Sequence, residues 1–253
     1  DRIVQLPLGI FIISISTILL TNLSSSEIRK NLSNFNIQIE KSIEFMLGIS
    51  LLSCVGLLIL SDLIVDILFR RGQFGYGDVK ATSDAIIMYA YGLPAFGLIK
   101  IFSTIFFSKQ DTKTPFRVSF FSMILNIIAI FLLIKDYGHL GIALALSLSS
   151  WLNAIILYTL LYFKGYWKIK FPFLKKTFKL FLVFMVSLNI VHAFEYFIIY
   201  FDLVDISTLY KKIFFLFYLI IISISTFLLL CIIFRILSIK DLSRKKLNNF
   251  FKG

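Results

Sequence analysis

Seven long apolar stretches recur along this chain, each long enough to cross a lipid bilayer: residues 3–20, 45–68, 85–107, 116–134, 140–162, 180–200 and 213–234. A hydrocarbon core of roughly 30 Å takes about 20 apolar residues as helix, and soluble domains rarely offer that once. The apolar residues fall in blocks and do not alternate as a membrane barrel strand would. The expected fold is therefore all-α, a polytopic transmembrane bundle of about seven spans. Composition agrees, since 58% of the residues are hydrophobic and mean hydropathy is +0.90, above the range of ordinary water-soluble domains.

The net charge of +12 does not point to nucleic acid, because no span carries a basic face interleaved with aromatics. Its distribution is the informative part. With the loops on alternating sides, one side holds Arg29, Lys30, Lys41, Lys109, Lys113, Arg117, the lysines between 164 and 179, and the basic residues from Arg235 onward. That is eighteen of the 26 Lys and Arg, against seven opposite (Arg2, Arg70, Arg71, Lys80, Lys135, Lys211, Lys212), with Lys100 inside a span. The positive-inside rule places the richer side in the cytoplasm. The first span then enters from outside, and the C-terminus is cytoplasmic.

Cys54 and Cys231 both lie within spans and have no metal-ligand spacing, so packing is their expected role. Asp1-Arg2 abuts an apolar span with no initiator Met and no basic signal-peptide region, so the sequence reads as the C-terminal portion of a longer protein. After Ser24–Ser26, which can cap a helix, Ile28, Leu32, Phe35, Ile39 and Ile43 form a stripe of 3.6-residue period between Arg29, Lys30, Asn34, Gln38 and Lys41. This reads as an amphipathic helix, either on the cytoplasmic membrane surface or packed on neighbouring loops. Asp62 and Asp66 share a helical face before the glycine-rich loop 69–78. Solvated carboxylates are expected there, a cation site being the alternative.

Gly92-Leu93-Pro94 interrupts the third span. Proline lacks an N–H and clashes with the preceding turn, so a kink belongs there. Lys100 lies six residues on, at a depth that suits either a wet cavity or snorkelling to the interface. Asn126 is the one amide of its span and needs a partner. Gly141, Ala143, Ala145, Ser147, Ser149 and Ser150 favour close packing of the next helix. The lysines of 164–179 interleave with Tyr166, Trp167, Phe171 and Phe173, as suits anionic headgroups of membrane lipids. No Ser/His/Asp set, HExxH or phosphate-cradling glycine loop is present, and an enzyme is not expected.

Several motifs, taken in order, resemble one family. Asp1-Arg2-Ile3-Val4-Gln5-Leu6-Pro7-Leu8-Gly9 resembles the start of the eighth transmembrane helix of the MurJ/MviN lipid II flippases, members of the MOP flippase superfamily. Leu68-Phe69-Arg70-Arg71-Gly72-Gln73-Phe74 resembles the loop after their ninth helix. Tyr91-Gly92-Leu93-Pro94-Ala95-Phe96 with Lys100 resembles their tenth, and Gln110-Asp111-Thr112-Lys113-Thr114-Pro115 the loop beyond it. Gly138-His139-Leu140-Gly141 and Trp151-Leu152-Asn153-Ala154 follow in register.

The resemblance implies helices 8–14 of a fourteen-helix transporter. Residues 1–163 would be the C-terminal lobe without its first helix, 164–179 a basic cytoplasmic linker, and 180–253 a two-helix hairpin with a basic tail. It implies a multi-pass protein of the bacterial inner membrane that flips lipid II (the undecaprenyl-pyrophosphate-linked disaccharide-peptide of peptidoglycan synthesis) by alternating access, with the N-terminal half of the same protein as partner. Arg2 falls on a family arginine that holds the pyrophosphate, and Lys100 is a second candidate for the substrate. Gly92 and Pro94 are the conformational positions. Some members use sodium, with an amide at the position of Asn126 among the ligands. Ile130 stands where a second polar ligand would, which speaks against sodium, and no other cofactor is implied. A related oligosaccharide-lipid flippase, a drug or cation antiporter and a non-transporting membrane scaffold are the alternatives.

Overall fold

The computed structural model describes residues 2–24, 32–201 and 208–236. The first span comprises α1 (Arg2–Pro7), a π-helical turn (Leu8–Ile12) and α2 (Ile13–Ser24). Pro7 offers no N–H to the carbonyl four residues back, and the wider turn that follows is a usual accommodation. After it come α3 (Leu32–Phe69), α4 (Tyr76–Ala90), α5 (Leu93–Ser108), α6 (Lys113–Tyr137), α7 (His139–Phe163), α8 (Phe171–Tyr200) and α9 (Leu209–Ile233). Six helical segments, with α4 and α5 counted as one, are long and apolar enough to cross a membrane. The broken first helix supplies the seventh expected span.

α3 is the hub, packing against α2, α4, α5, α8 and α9. Its 38 residues span about 57 Å, far more than the bilayer requires. The stripe expected to form a surface helix falls partly on residues 25–31, outside the described residues. From Leu32 on, it runs without interruption into the second span. Phe35, Ile39 and Ile43 are buried in the core, so the stripe faces protein and is not free for the membrane surface. Hydropathy marks where a helix meets lipid, not where the helix begins.

Asp62 and Asp66 are ion-paired. Asp62 accepts from Ser83 and lies 3.5 Å from Lys80, while Asp66 accepts from Arg70 (3.0 Å) and from Lys212 of α9. Arg70 also stacks over the Tyr76 ring at 3.4 Å. Toward the other end of α3, Glu44 pairs with Lys176 of α8. Two ionic clasps therefore hold the α8–α9 hairpin along α3. Only residues 164–170 of the expected linker are non-helical, since α8 begins at Phe171 with Pro172 in its first turn. Trp167 is 2% exposed and packs among Phe102, Tyr158 and Phe173. Two of the aromatics expected at headgroups, Trp167 and Phe173, thus belong to the core.

α6 and α7 form a tight antiparallel hairpin turning at Gly138 (φ +55°). A Cβ on Gly141 would lie 2.7 Å from the Leu133 carbonyl oxygen, so glycine is needed for the close approach. The hairpin's other end is closed by Asp111, which accepts the Thr114 N–H (3.0 Å) and hydroxyl (2.8 Å) and pairs with Lys164 (2.6 Å). Burial alone would raise the Asp111 carboxyl, but these hydrogen bonds and the Lys164 charge outweigh it and hold it below its usual value. A depressed carboxylate stabilises the fold above its unfolded pKa of about 4, and that contribution is lost as pH falls through the folded value. Asp111→Asn keeps an acceptor for Thr114 but removes the charge facing Lys164, and should cost about 0.5–1 kcal/mol near neutral pH. It should also flatten the fall in thermal midpoint below pH ~4. Thermal unfolding in detergent against pH checks both, and identical acid profiles for variant and wild type would refute the assignment.

Candidate functional site

The first span exposes Leu6, Phe11 and Ile13 toward its start and hydroxyls along α2. The exposed positions of α2 are Ile13, Ser14, Thr17, Thr21 and Ser24, and all but Ile13 carry a hydroxyl. Thr17 donates to the Ile13 carbonyl (2.9 Å) and Thr21 to that of Thr17 (3.0 Å). Ile15, Leu19 and Leu23 point into the bundle. α6 is the reverse case, exposing Phe120, Phe121, Ile124, Ile127, Ile128, Phe131 and Leu132. An apolar face suits lipid, whereas polar side chains are disfavoured against hydrocarbon and mark a wet cavity or a protein contact. α2 therefore lines an aqueous or protein-covered surface, and α6 faces lipid.

Arg2 opens α1 at the head of this span, and its side chain lies outside the described residues. Lys100 is placed more fully. α5 is packed on α2, α3 and α7, and Lys100 and Phe107 are its two exposed residues. Among the described residues no carboxylate pairs with the Lys100 ammonium. The cation thus leaves an otherwise buried helix, one that packs directly on polar-faced α2.

Gly92 and Pro94 sit where the kink is expected. α4 ends at Ala90, Tyr91 and Gly92 form a turn, and α5 restarts at Leu93 with Pro94 in its first turn. There the missing N–H costs nothing. A Cβ on Gly92 would stand 2.8 Å from Ser147 Oγ, so the break is pressed against α7.

Asn126 belongs to a separate place. It lines a cavity of about 220 Å³ between α6 and α7 with Ser119, Ser122, Met123, Leu146, Ser149, Ser150 and Asn153. Asn126 Oδ1, Asn153 Oδ1 and Ser122 Oγ are buried there without a hydrogen-bond partner. Neutral amide and hydroxyl oxygens lining one cavity suit a hard monovalent cation better than a transition metal. No group of three or more His, Cys, Asp or Glu suited to a metal occurs among the described residues. The sequence reading missed that Asn153 lines the same cavity as Asn126, since 27 residues and a helical hairpin separate the two. It also missed the α2 hydroxyl stripe, although the spacing of Ser14, Thr17, Thr21 and Ser24 carries it.

A bundle of long apolar helices, with apolar faces turned outward on α6, α8 and α9, is the architecture of a multi-pass membrane protein. A family model described as "Lipid II flippase MurJ" matches residues 1–221, and the chain belongs to that family. It is similar to proteins named "Probable lipid II flippase MurJ". That of Rhizobium meliloti (strain 1021) is 37% identical over 177 residues, covering 70% of this chain and 33% of the relative. That of Rickettsia prowazekii (strain Madrid E) is 39% identical over 159 residues, covering 63% and 31%. A solved structure titled "Lipid II flippase MurJ, inward closed conformation" matches with a TM-score of 0.73 at 26% identity, over 92% of this chain and 45% of that one. The chain spans about a third of the length of the curated relatives it matches. Family and fold together place it as a multi-pass protein of the bacterial inner membrane.

The two faces are distinguishable by chemistry. Thr17→Cys and Thr21→Cys should react with a charged, membrane-impermeant thiol reagent, while Phe121→Cys and Ile128→Cys should stay unlabelled. Equal labelling of the two pairs would remove the argument for a wet α2 face.

Proposed function

We propose that this chain is the C-terminal part of a lipid II flippase that carries the lipid-linked peptidoglycan precursor across the membrane by alternating access. The observation that carries the reading is the hydroxyl-bearing exposed face of α2, set beside a helix whose one exposed cation is Lys100. A pyrophosphate headgroup bearing sugars and a peptide needs positive charge and hydrogen-bonding groups along its path, and the lipid tail needs none. Arg2 offers a planar fork suited to phosphate oxygens, Lys100 a point charge, and the α2 hydroxyls partners for sugar. The remaining half of the cavity belongs to the N-terminal half of the transporter, this chain's partner. The cytoplasmic C-terminus follows from the excess of Lys and Arg on that side of the bundle.

The test is complementation. The complete gene product carrying this sequence, expressed in a bacterium depleted of its own lipid II flippase, should restore growth. Arg2→Ala and Lys100→Met should fail to do so at equal membrane levels. Lys100→Met should leave the thermal midpoint near that of wild type, because the side chain is exposed. Failure of the wild type despite good expression would overturn the substrate, and rescue by both variants would return the two cations to interfacial roles.

A sodium ion is a second element of the reading, favoured by the buried, unpartnered oxygens of Asn126, Asn153 and Ser122 along one cavity. These residues would hold the ion, which would supply a coupling gradient beside the membrane potential, itself worth about 2.3 kcal/mol per charge per 100 mV. Sodium should raise the thermal midpoint relative to choline at equal ionic strength, and Asn153→Leu should abolish the difference. A midpoint indifferent to sodium in the wild type would dismiss the ion.

A further inference from the structure

The break between α4 and α5 frees three carbonyls, and each is met by a side chain from another helix. The Gly92 N–H turns to the Tyr89 carbonyl (2.9 Å), which leaves the Met88 oxygen without its usual donor. Ser147 Oγ of α7 donates to it at 2.6 Å. Pro94 has no N–H for the Ala90 oxygen, and Cys54 Sγ of α3 donates there at 3.3 Å. The Tyr91 oxygen precedes the first α5 bond, which runs from the Phe96 N–H to the Gly92 carbonyl, and Trp151 Nε1 of α7 donates to it at 2.9 Å.

In an unbroken helix the backbone ladder fixes the direction of the axis. Here the angle between α4 and α5 is held by side chains of other helices, two of them one turn apart on α7. The two halves share α3 and α7 as neighbours and differ beyond them, since α5 also packs on α2 and α4 on α1. Bending at 91–94 changes the angle between Lys100-bearing α5 and the rest of the lobe where the regular backbone ladder is already interrupted. The freed carbonyls can exchange these three donors for water only where water reaches.

Resting on the alternating-access reading above, we propose that the 91–94 break is a working hinge of the transport cycle. Ser147 and Trp151 are the positioning residues that latch it in the present state. Gly92 is then glycine because it leaves room for Ser147, its own backbone being ordinary right-handed helical. Cys54, 2% exposed, is the weak third donor and becomes accessible when the latch opens.

Two experiments on the complete gene product decide this. Gly92→Cys with Ser147→Cys places two Cβ atoms within disulfide range, tying the break to α7. Lipid II transport should be lost on oxidation and restored by reductant, whereas full transport with the disulfide formed overturns the hinge. The second experiment is independent of any substrate and decides the matter if the double variant folds poorly. Ser147→Ala with Trp151→Phe should speed alkylation of Cys54 by N-ethylmaleimide in native membranes, read by mass spectrometry. Cys231, buried on α9, should alkylate at the wild-type rate. No acceleration at Cys54, or equal acceleration at both thiols, overturns the latch. A wild type that moves no lipid II while Cys54 responds would refute the function and leave the hinge standing.

Discussion

Hydrocarbon offers no partner to a peptide carbonyl, and this constraint shapes nearly every feature of the chain. It forces each span to be helical. It also means that a helix can break only where its neighbours supply the donors that its own backbone withdraws. Pro94 and Gly92 create the break, but Cys54, Ser147 and Trp151 make it tolerable. The small residues of α7 serve the same end, since Ala143 and Ala145 are buried and let neighbouring helices approach. Without that proximity a serine hydroxyl could not reach across to a carbonyl of another helix.

A second consequence concerns charge. The apolar centre of α3 is bracketed by acidic residues, Glu44 toward one end and Asp62 and Asp66 toward the other. The α8–α9 hairpin answers with Lys176 and Lys212 at matching heights. Exposed ion pairs in water contribute little. At a membrane boundary the same pairs also fix the vertical register of one helix against another, because sliding by a turn would carry a charge toward hydrocarbon. The hairpin is thus fastened to the hub helix at two levels, and it moves with α3.

The sequence makes much of this architecture legible for physical reasons. Long apolar runs give the spans, the charge count gives a side, and proline chemistry gives the break at 91–94. It fails where the determinant is a contact. Hydropathy starts the second span at residue 45, whereas α3 is already helical at Leu32 and buries Phe35 and Ile39. Trp167 among lysines has the composition of an interfacial aromatic, yet Phe102, Tyr158 and Phe173 enclose it. Asn126 announces a need for a partner, but only the fold of the hairpin brings Asn153 to the same cavity. Local chemistry is written locally, while the pairing of distant residues is decided by topology.

The surface of the bundle carries the remaining argument. A lobe that rocks against another must be greasy on one flank and wet on the other, and it must stay stiff apart from a few defined joints. α6 supplies the greasy flank and packs almost wholly on α7. α2 supplies the wet one, its hydroxyls turned outward and its Leu19 and Leu23 inward. Between them lie α5, with its lone mid-helix cation, and α7, which holds both the break and the polar cavity. Ser147 and Trp151 face the break, while Ser149, Ser150 and Asn153 line the cavity on the α6 side. One helix therefore presents two sets of polar side chains to two different neighbours. A shift of α7 would thus reach both the break and the cavity.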